Sequence, residues 1–177
     1  MTGQCFVVAT PLGNLADISQ RAVDTLKMVD IIACEDTRVS RKLLQHYGIS
    51  TKLTALHAHN EAGQGQQLLA KLQAGQSVAL ISDAGTPLIS DPGSRLISLL
   101  QANAVEVVPI PGPCALIAAL SASGFAADNF SFLGFLPSKK GQLTTVLEQI
   151  NISLQTTIFY EAPHRILSTM QALAASL

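Results

Sequence analysis

Seven short polar segments of this 177-residue chain hold the side chains best suited to chemistry. They are Pro11-Leu12-Gly13-Asn14, Glu35-Asp36-Thr37-Arg38, His57–Glu61, Asp83–Gly93, Pro111–Pro113, Leu136–Gly141 and Glu161–Arg165. Six of the 11 Lys and Arg residues (Arg38, Arg41, Lys42, Lys139, Lys140, Arg165) lie in or just after them. So do six of the 12 acids (Glu35, Asp36, Glu61, Asp83, Asp91, Glu161). Solubility does not require that concentration of charge; a site would. Asp83 ends a strongly apolar run, where a carboxylate suits ribose hydroxyls or an ammonium group, and Gly85 lets backbone approach a ligand closely. Asp83 and Asp91 together suggest acid–base hydrolysis by paired carboxylates, whereas Asp91 followed by Pro92 also reads as the cap of a helix. His57-Ala-His59, with Glu61 and Asp83 near in sequence or kind, is a weak zinc pattern. Its plainer reading is one imidazole on loop backbone and one in solvent. The G-x-G-x-x-G fingerprint and the Walker A loop are both absent, so neither ordinary nicotinamide binding nor P-loop phosphoryl transfer is indicated.

The elements that must position these segments follow from periodicity. Cys5–Thr10, Ile31–Cys34, Leu53–Leu56, Val78–Ser82 and Val105–Ile110 are short runs, apolar on both faces, as expected of parallel strands covered by helices on both sides. Helical patterns lie between them. One has Asp17 and Gln20 spaced like a capping box. Others span Val39–Tyr47 up to Gly48, Gln64–Ala74 up to Gly75, and Asp91 to about Asn103. This alternation predicts an α/β fold with a mostly parallel sheet. Pro111-Gly112-Pro113 then breaks the pattern, giving an amino-terminal domain over residues 1–110 and a second α/β domain over 114–177. In the latter, Cys114–Ser123, Gln142–Ile150 and Arg165–Leu177 read as helices, and Phe130–Phe135 and Thr156–Tyr160 as strands. Two strands and three helices leave a sheet edge unpaired, so this domain is expected to be incomplete. Each of the seven polar segments directly follows an expected strand. In parallel α/β sheets ligands bind outside the carboxyl ends of the strands, so all seven are expected at one rim.

Composition bounds the classes. Hydrophobic residues make up 48% and charged residues 13%, which excludes a disordered chain. No apolar run reaches the length of a membrane span, and Met-Thr-Gly-Gln-Cys has neither the basic start nor the apolar stretch of a signal peptide. A cytoplasmic protein without a membrane partner is expected. Cys5, Cys34 and Cys114 are widely spaced in apolar stretches and read as buried free thiols. A net charge of −1 does not suit a general nucleic-acid coat protein. Arg38, Arg41 and Lys42 on one side and Lys139-Lys140 on the other nonetheless form two basic patches able to meet an RNA backbone.

Taken in order, VATPLGNLADI, EDTR, HNE, ALISDAGTPLISDPG, PGPCALIAALSASG, GFLPSKKG and FYEAPHR resemble the ribosomal RNA small-subunit methyltransferase I family. That family is a bacterial branch of the tetrapyrrole-methylase-like superfamily. The resemblance runs from Cys5 to about Met170. It implies two α/β domains of the tetrapyrrole methylase type with S-adenosylmethionine folded in a cleft between them. It also implies 2'-O-methylation of a cytidine in 16S rRNA of the small ribosomal subunit, and a homodimer. Family members normally continue well past the position of Leu177. Carried over by motif, the donor contacts fall on Pro11, Leu12, Asp83, Gly85, Thr86, Cys114 and Ala115, with Leu136, Glu161 and Ala162 from the second domain. The acceptor side is expected to hold Glu35, Asp36, Arg38, His59, Glu61 and Lys139. Glu35 and Glu61 are the expected proton acceptors, and Arg38 and Lys139 the expected phosphate or alkoxide partners. An internal ion-pair network of Glu35, Asp36 and Arg38 is the competing role for those three. A tetrapyrrole methyltransferase of the same fold and a His-x-His metal hydrolase are the alternative functions.

Overall fold

The computed structural model describes residues 2–176. By contact the chain divides into two compact units, one up to Ala115 and one from Leu116 onward. The first unit is a five-stranded sheet in the order β3-β2-β4-β1-β5. Its strands are β1 (Cys5–Val8), β2 (Ile31–Cys34), β3 (Lys52–Ala55), β4 (Val78–Ile81) and β5 (Val107–Ile110). Every pairing among them is parallel. Each strand is therefore connected by a crossover, made by α1 (Gln20–Met28), α2 (Thr37–His46), α3 (Glu61–Gln73) and α4 (Ser94–Ala102).

Side-chain alternation divides the core into two layers. Phe6, Val8, Ile32, Cys34, Ala79 and Ile81 pack with Ala22, Val23 and Leu26 of α1 and Leu44 of α2. Cys5, Ile31, Ala33, Val78 and Leu80 point the other way, onto Leu68, Leu69 and Leu72 of α3 and Leu96 and Leu100 of α4. Connections moving towards β3 carry their helices on one face, and those moving towards β5 on the other. One crossover hand produces that arrangement. It brings the carboxyl ends of all five strands to one edge of the sheet.

Three helices begin two or three residues before the expected position, α2 at Thr37, α3 at Glu61 and one of the second unit at Lys140, and two expected caps are replaced. Ser19, not Asp17, caps α1, its hydroxyl accepting from Ala22 N at 3.1 Å. Asp17 instead ends a 3-10 turn, Leu15–Asp17, that is capped by Asn14, and the chain leaves it extended at Ile18. Gly93, not Asp91, precedes α4. Gly93 has φ +120°, and a Cβ there would lie 2.8 Å from Leu80 Cδ2, so the loop must turn tightly onto the sheet before the helix begins.

The second unit contains most of α5 (Ala115–Ser123), then β6 (Phe130–Phe135), α6 (Lys140–Ile152), β7 (Thr156–Tyr160) and α7 (Ile166–Ser176). Its two strands are parallel, with an irregularity between Phe132 and Phe135. Among the described residues no helix is long and apolar enough to cross a membrane.

Candidate active site

In the first unit the loops after β1, β4 and β5 are fastened to each other. Thr10 and Gly85 exchange both backbone hydrogen bonds, at 2.9 and 3.0 Å, in a single antiparallel bridge. The buried Thr10 hydroxyl donates to Ser82 O at 3.0 Å. Thr86 Oγ1 donates to Pro113 O at 2.9 Å, tying the β4 loop to the Pro111–Pro113 turn. The packing is tight at two glycines. A Cβ on Gly85 would sit 3.0 Å from Leu12 Cδ2, and one on Gly112 would sit 3.0 Å from Ala9 Cβ. Gly85 also has φ +83°. Leu88 (φ 73°) and Ser90 (φ 68°) hold the same loop in the left-handed region, a strained backbone of the kind that persists only where its surroundings fix it. The structure thus brings Pro11, Leu12, Asp83, Gly85 and Thr86 together at the sheet edge, with Cys114 and Ala115 directly after the turn that Thr86 holds.

A cavity of about 350 Å³ opens beside these loops. Pro11, Leu12 and Leu15 form one wall, Val39, Ser40, Lys42 and Leu43 of α2 another, and Ser82, Asp83 and Ala84 the third. The Tyr47 hydroxyl donates to Leu15 O and fastens the first wall to the end of α2. Gly85 and Thr86 are not among its lining residues.

Glu35 follows β2, half-buried. Burial first, then the negative charges of Asp83 and Asp91, raises its carboxyl above the usual glutamate value, while His57 acts the other way. Burial, and secondarily Asp83, likewise raises Asp91, against a lowering hydrogen bond with Ser82. Asp36 caps α2, its Oδ1 accepting from Arg38 N at 2.8 Å. Its carboxylate also takes the Arg38 guanidinium, the closest contact being 2.7 Å. Hydrogen bonding to Arg38 holds Asp36 down at about 2. Arg38 is therefore engaged with Asp36 at the surface, and Asp36 N in turn donates to Asp83 Oδ1 at 3.2 Å. This is the ion-pair role weighed above for Asp36 and Arg38. Glu35 takes no part in the pair.

Glu61 has a separate place. It is 6% exposed, and its Oε1 accepts from Arg95 N at 2.9 Å and Leu96 N at 3.1 Å, in the first turn of α4. The first-turn amides of α4 are thus met not by Asp91 but by Glu61, 34 positions before Arg95. Asn60 orders the same loop, accepting from His57 N and donating to Ala55 O. His57 and His59 stand edge to face, 6.1 Å between ring centroids. Among the described residues no three His, Cys, Asp or Glu side chains converge to hold a metal ion. Cys5 and Cys34 are buried free thiols, whereas Cys114 is only half-buried.

In the second unit Leu136 is buried after β6, and the Glu161–Arg165 turn follows β7. Arg165 joins them. Its Nη2 donates to Leu136 O at 2.6 Å and to Glu161 Oε2 at 2.7 Å. Thr169 Oγ1 donates to the same carboxylate oxygen, and Ala162 N donates to Oε1, each at 2.7 Å. With its side chain 2% exposed, Glu161 is held at about 2, chiefly by Arg165. Its carboxylate is fully engaged, so a ligand at this turn would meet backbone rather than that charge. Lys139 is exposed just before α6. Sequence reasoning missed Ser40, Thr10, Tyr47 and Thr169. The one available signal was Ser40, a hydroxyl on the otherwise apolar face of α2.

The sequence model of the Tetrapyrrole (Corrin/Porphyrin) Methylases matches residues 4–177. Two similar curated proteins are named ribosomal RNA small subunit methyltransferase I. The one from Escherichia coli O157:H7 is 52% identical over 175 residues, 99% of this chain and 61% of that protein. The one from Vibrio cholerae serotype O1 is 57% identical over 167 residues, 94% of this chain and 58% of that protein. The chain thus spans about three fifths of the length of these relatives. Among solved structures, a conserved hypothetical protein from Aeropyrum pernix K1 superposes with a TM-score of 0.72 at 16% identity, covering 99% of this chain and 68% of that one. A uroporphyrin III C-methyl transferase from Thermus thermophilus gives 0.65 at 16% identity, covering 98% and 77%. At such identities the likeness is one of fold.

Proposed function

Because this chain belongs to the tetrapyrrole (corrin/porphyrin) methylase family, we propose that it serves S-adenosylmethionine-dependent 2'-O-methylation of a cytidine ribose in 16S rRNA of the small ribosomal subunit. In the same reading it acts in the cytoplasm, as a homodimer. The observation that carries the choice of RNA over a tetrapyrrole is the identity, above 50% along nearly the whole chain, to relatives named for small-subunit rRNA.

The residues present fit the donor. Its proposed contacts are Pro11, Leu12, Asp83, Gly85, Thr86, Cys114 and Ala115, and in the second unit Leu136 and the Glu161–Ala162 turn. They are mostly backbone and apolar groups, and side chains at Gly85 and Gly112 would fill the space the loops share. S-adenosylmethionine, when bound, supplies an electrophilic methyl on a sulfonium centre whose positive charge vanishes in transfer. Strong anionic stabilisation is therefore unnecessary, and orientation is the main contribution asked of the protein, worth roughly 7–11 kcal/mol in well-aligned reactions. The tight fastening of the three loops is suited to that.

The ribose hydroxyl is the harder partner, because its proton must leave as the new C–O bond forms. Glu35 is the proposed proton acceptor. It is half-buried among other carboxylates, which raises its affinity for a proton. Glu61 is reassigned to positioning, because its carboxylate accepts from the α4 amides. Arg38 is tied to Asp36, which leaves Lys139, Lys140, Arg41 and Lys42 as the proposed phosphate contacts.

Incubation with methyl-labelled donor, offering unmethylated small subunits, free 16S rRNA and a tetrapyrrole in parallel, tests this. Label is expected on a cytidine ribose. Glu35→Gln should lower turnover by about a hundredfold or more, in the range of general-base contributions, and Glu61→Gln by less than tenfold. Label on the tetrapyrrole instead, or unchanged turnover in Glu35→Gln, would overturn the reading.

A further inference from the structure

Charge is unevenly placed along this chain. Residues 37–60 hold four of the 11 Lys and Arg residues (Arg38, Arg41, Lys42 and Lys52) and three of the four histidines, but none of the 12 acids. The rest of the chain carries seven cations against those 12 acids. The stretch comprises α2, β3 and the loops after them, and β3 is an edge strand of the first sheet. Part of this pattern has a structural reason. Arg38 is tied to Asp36. His46 stands in the last turn of α2, where a cation suits the helix dipole. Lys52 guards the edge strand against pairing with another chain. Arg41 and Lys42 have no such role. They stand exposed in the middle of α2, and among the described residues no carboxylate pairs with either.

The two cations face different cavities. Successive helical residues point about 100° apart, so neighbours on α2 divide between its two sides. Lys42 and Leu43 line the cavity beside the β1 and β4 loops. Arg41, Leu44 and Gln45 line a second one, of about 330 Å³, together with Ile49, Ser50 and Leu53. Its floor is apolar, with Leu44 and Ile49 buried and Leu53 half-buried. Its rim is polar and exposed. There the Arg41 guanidinium, the Gln45 amide and the Ser50 hydroxyl have no hydrogen-bond partner among the described residues. The volume is at the small end of ligand pockets, roughly 300–1,000 Å³, with room for one base and its ribose.

We propose that this second cavity is a docking groove for the RNA strand that flanks the methylated nucleotide. A neighbouring base lies on Leu44, Ile49 and Leu53, its phosphate meets Arg41, and Gln45 and Ser50 reach its 2'-hydroxyl. Single-stranded RNA is recognised through these three features, the base face, the phosphate and the 2'-hydroxyl. The groove rests on the methyltransferase reading above and adds a contact outside the reaction centre. It is well placed for that. α2 begins two residues after Glu35, and Arg41 stands four residues further on, about 6 Å along the helix axis. A strand that offers its ribose to Glu35 therefore passes Lys42 and Arg41 as it leaves. An acidic protein segment would answer the same cations, but an apolar floor the size of one base favours RNA.

Fluorescence anisotropy with a labelled short single-stranded RNA, DNA of the same sequence and a polyglutamate peptide of equal charge tests it. In about 0.1 M salt, Arg41→Ala should weaken RNA binding by about fivefold. It should also make the slope of log affinity against log salt shallower by about 0.7, the share of one phosphate contact on a single strand. Gln45→Ala combined with Ser50→Ala should cut the preference for RNA over DNA by about threefold to tenfold, the worth of one hydrogen bond, and leave that slope unchanged. Lys71→Ala, on α3 across the sheet, should bind RNA as the parent does. The three rim positions are exposed, so their variants should melt with the parent. RNA binding that is absent, or an Arg41→Ala variant that behaves like Lys71→Ala, would overturn the groove. So would tighter binding of polyglutamate than of RNA, which would make it a protein-docking surface. Failure of S-adenosylmethionine to bind the parent chain, with the Arg41 dependence intact, would instead strike at the methyltransferase reading alone.

Discussion

At the residue scale, charges in this molecule are placed to hold backbone as much as to meet ligands. Glu161 is the plainest case. Arg165, Thr169 and Ala162 all donate to it, and Arg165 carries the restraint on to Leu136 O. Its carboxyl is lowered from 4.5 to about 2. A lowered carboxyl contributes stability that is fully present above its unfolded value and is lost as pH falls through the folded one. Chemical denaturation should therefore show stability declining between about pH 4.5 and pH 2. Glu161→Gln should be less stable at neutral pH and lose less in that window, the remaining decline coming from other lowered carboxyls such as Asp36. Parallel pH curves for the two proteins would refute this. The residue identities here were legible in sequence, but their roles were not. Glu161 and Glu61 both stand in polar loops after strands, as Glu35 does. Only the partner, four residues away for Glu161 and 34 for Glu61, separates a structural carboxylate from one left to do chemistry.

At the scale of elements, the short apolar strands and the glycine-terminated helices were readable because each carries its own period and punctuation. Four strands of the first sheet fall within the runs expected and β3 is shifted by one residue, to Lys52–Ala55, and Gly48 and Gly75 end α2 and α3 with positive φ. Helix starts were less readable. Asp17 and Asp91 both have the right residue type at the right spacing, yet the chain uses Ser19 for α1 and a distant Glu61 for α4. A cap drawn from another helix leaves no local signature. Its energetic consequence is testable. Glu61→Ala would leave the Arg95 and Leu96 amides without their acceptor, and the cost should be about 1–3 kcal/mol in equilibrium unfolding. Glu61→Gln, which keeps one acceptor oxygen, should recover most of it. Equal losses in the two variants would mean that the cap is unimportant and that packing alone explains the position.

At the scale of the whole molecule, parallel topology does the gathering. Because β1 to β5 all run the same way, the segments after them reach one edge without any residue in them specifying it. That much followed from counting strand–helix alternations. The strand order did not, since β3-β2-β4-β1-β5 depends on which faces the helices cover, and local periodicity is silent on that. The order matters for the site. It sets β1 between β4 and β5, so that Thr10, Gly85, Thr86 and Pro113 can be tied into one cradle. The account stands or falls on whether that cradle takes a sulfonium donor. Calorimetric titration of S-adenosylmethionine into the folded chain is the direct measurement. One-to-one binding is expected, weakened at least several-fold by Thr86→Ala, which frees the Pro113 carbonyl. A chain that is folded by circular dichroism yet gives no binding heat, or a Thr86→Ala variant that binds as tightly as the parent, would contradict it.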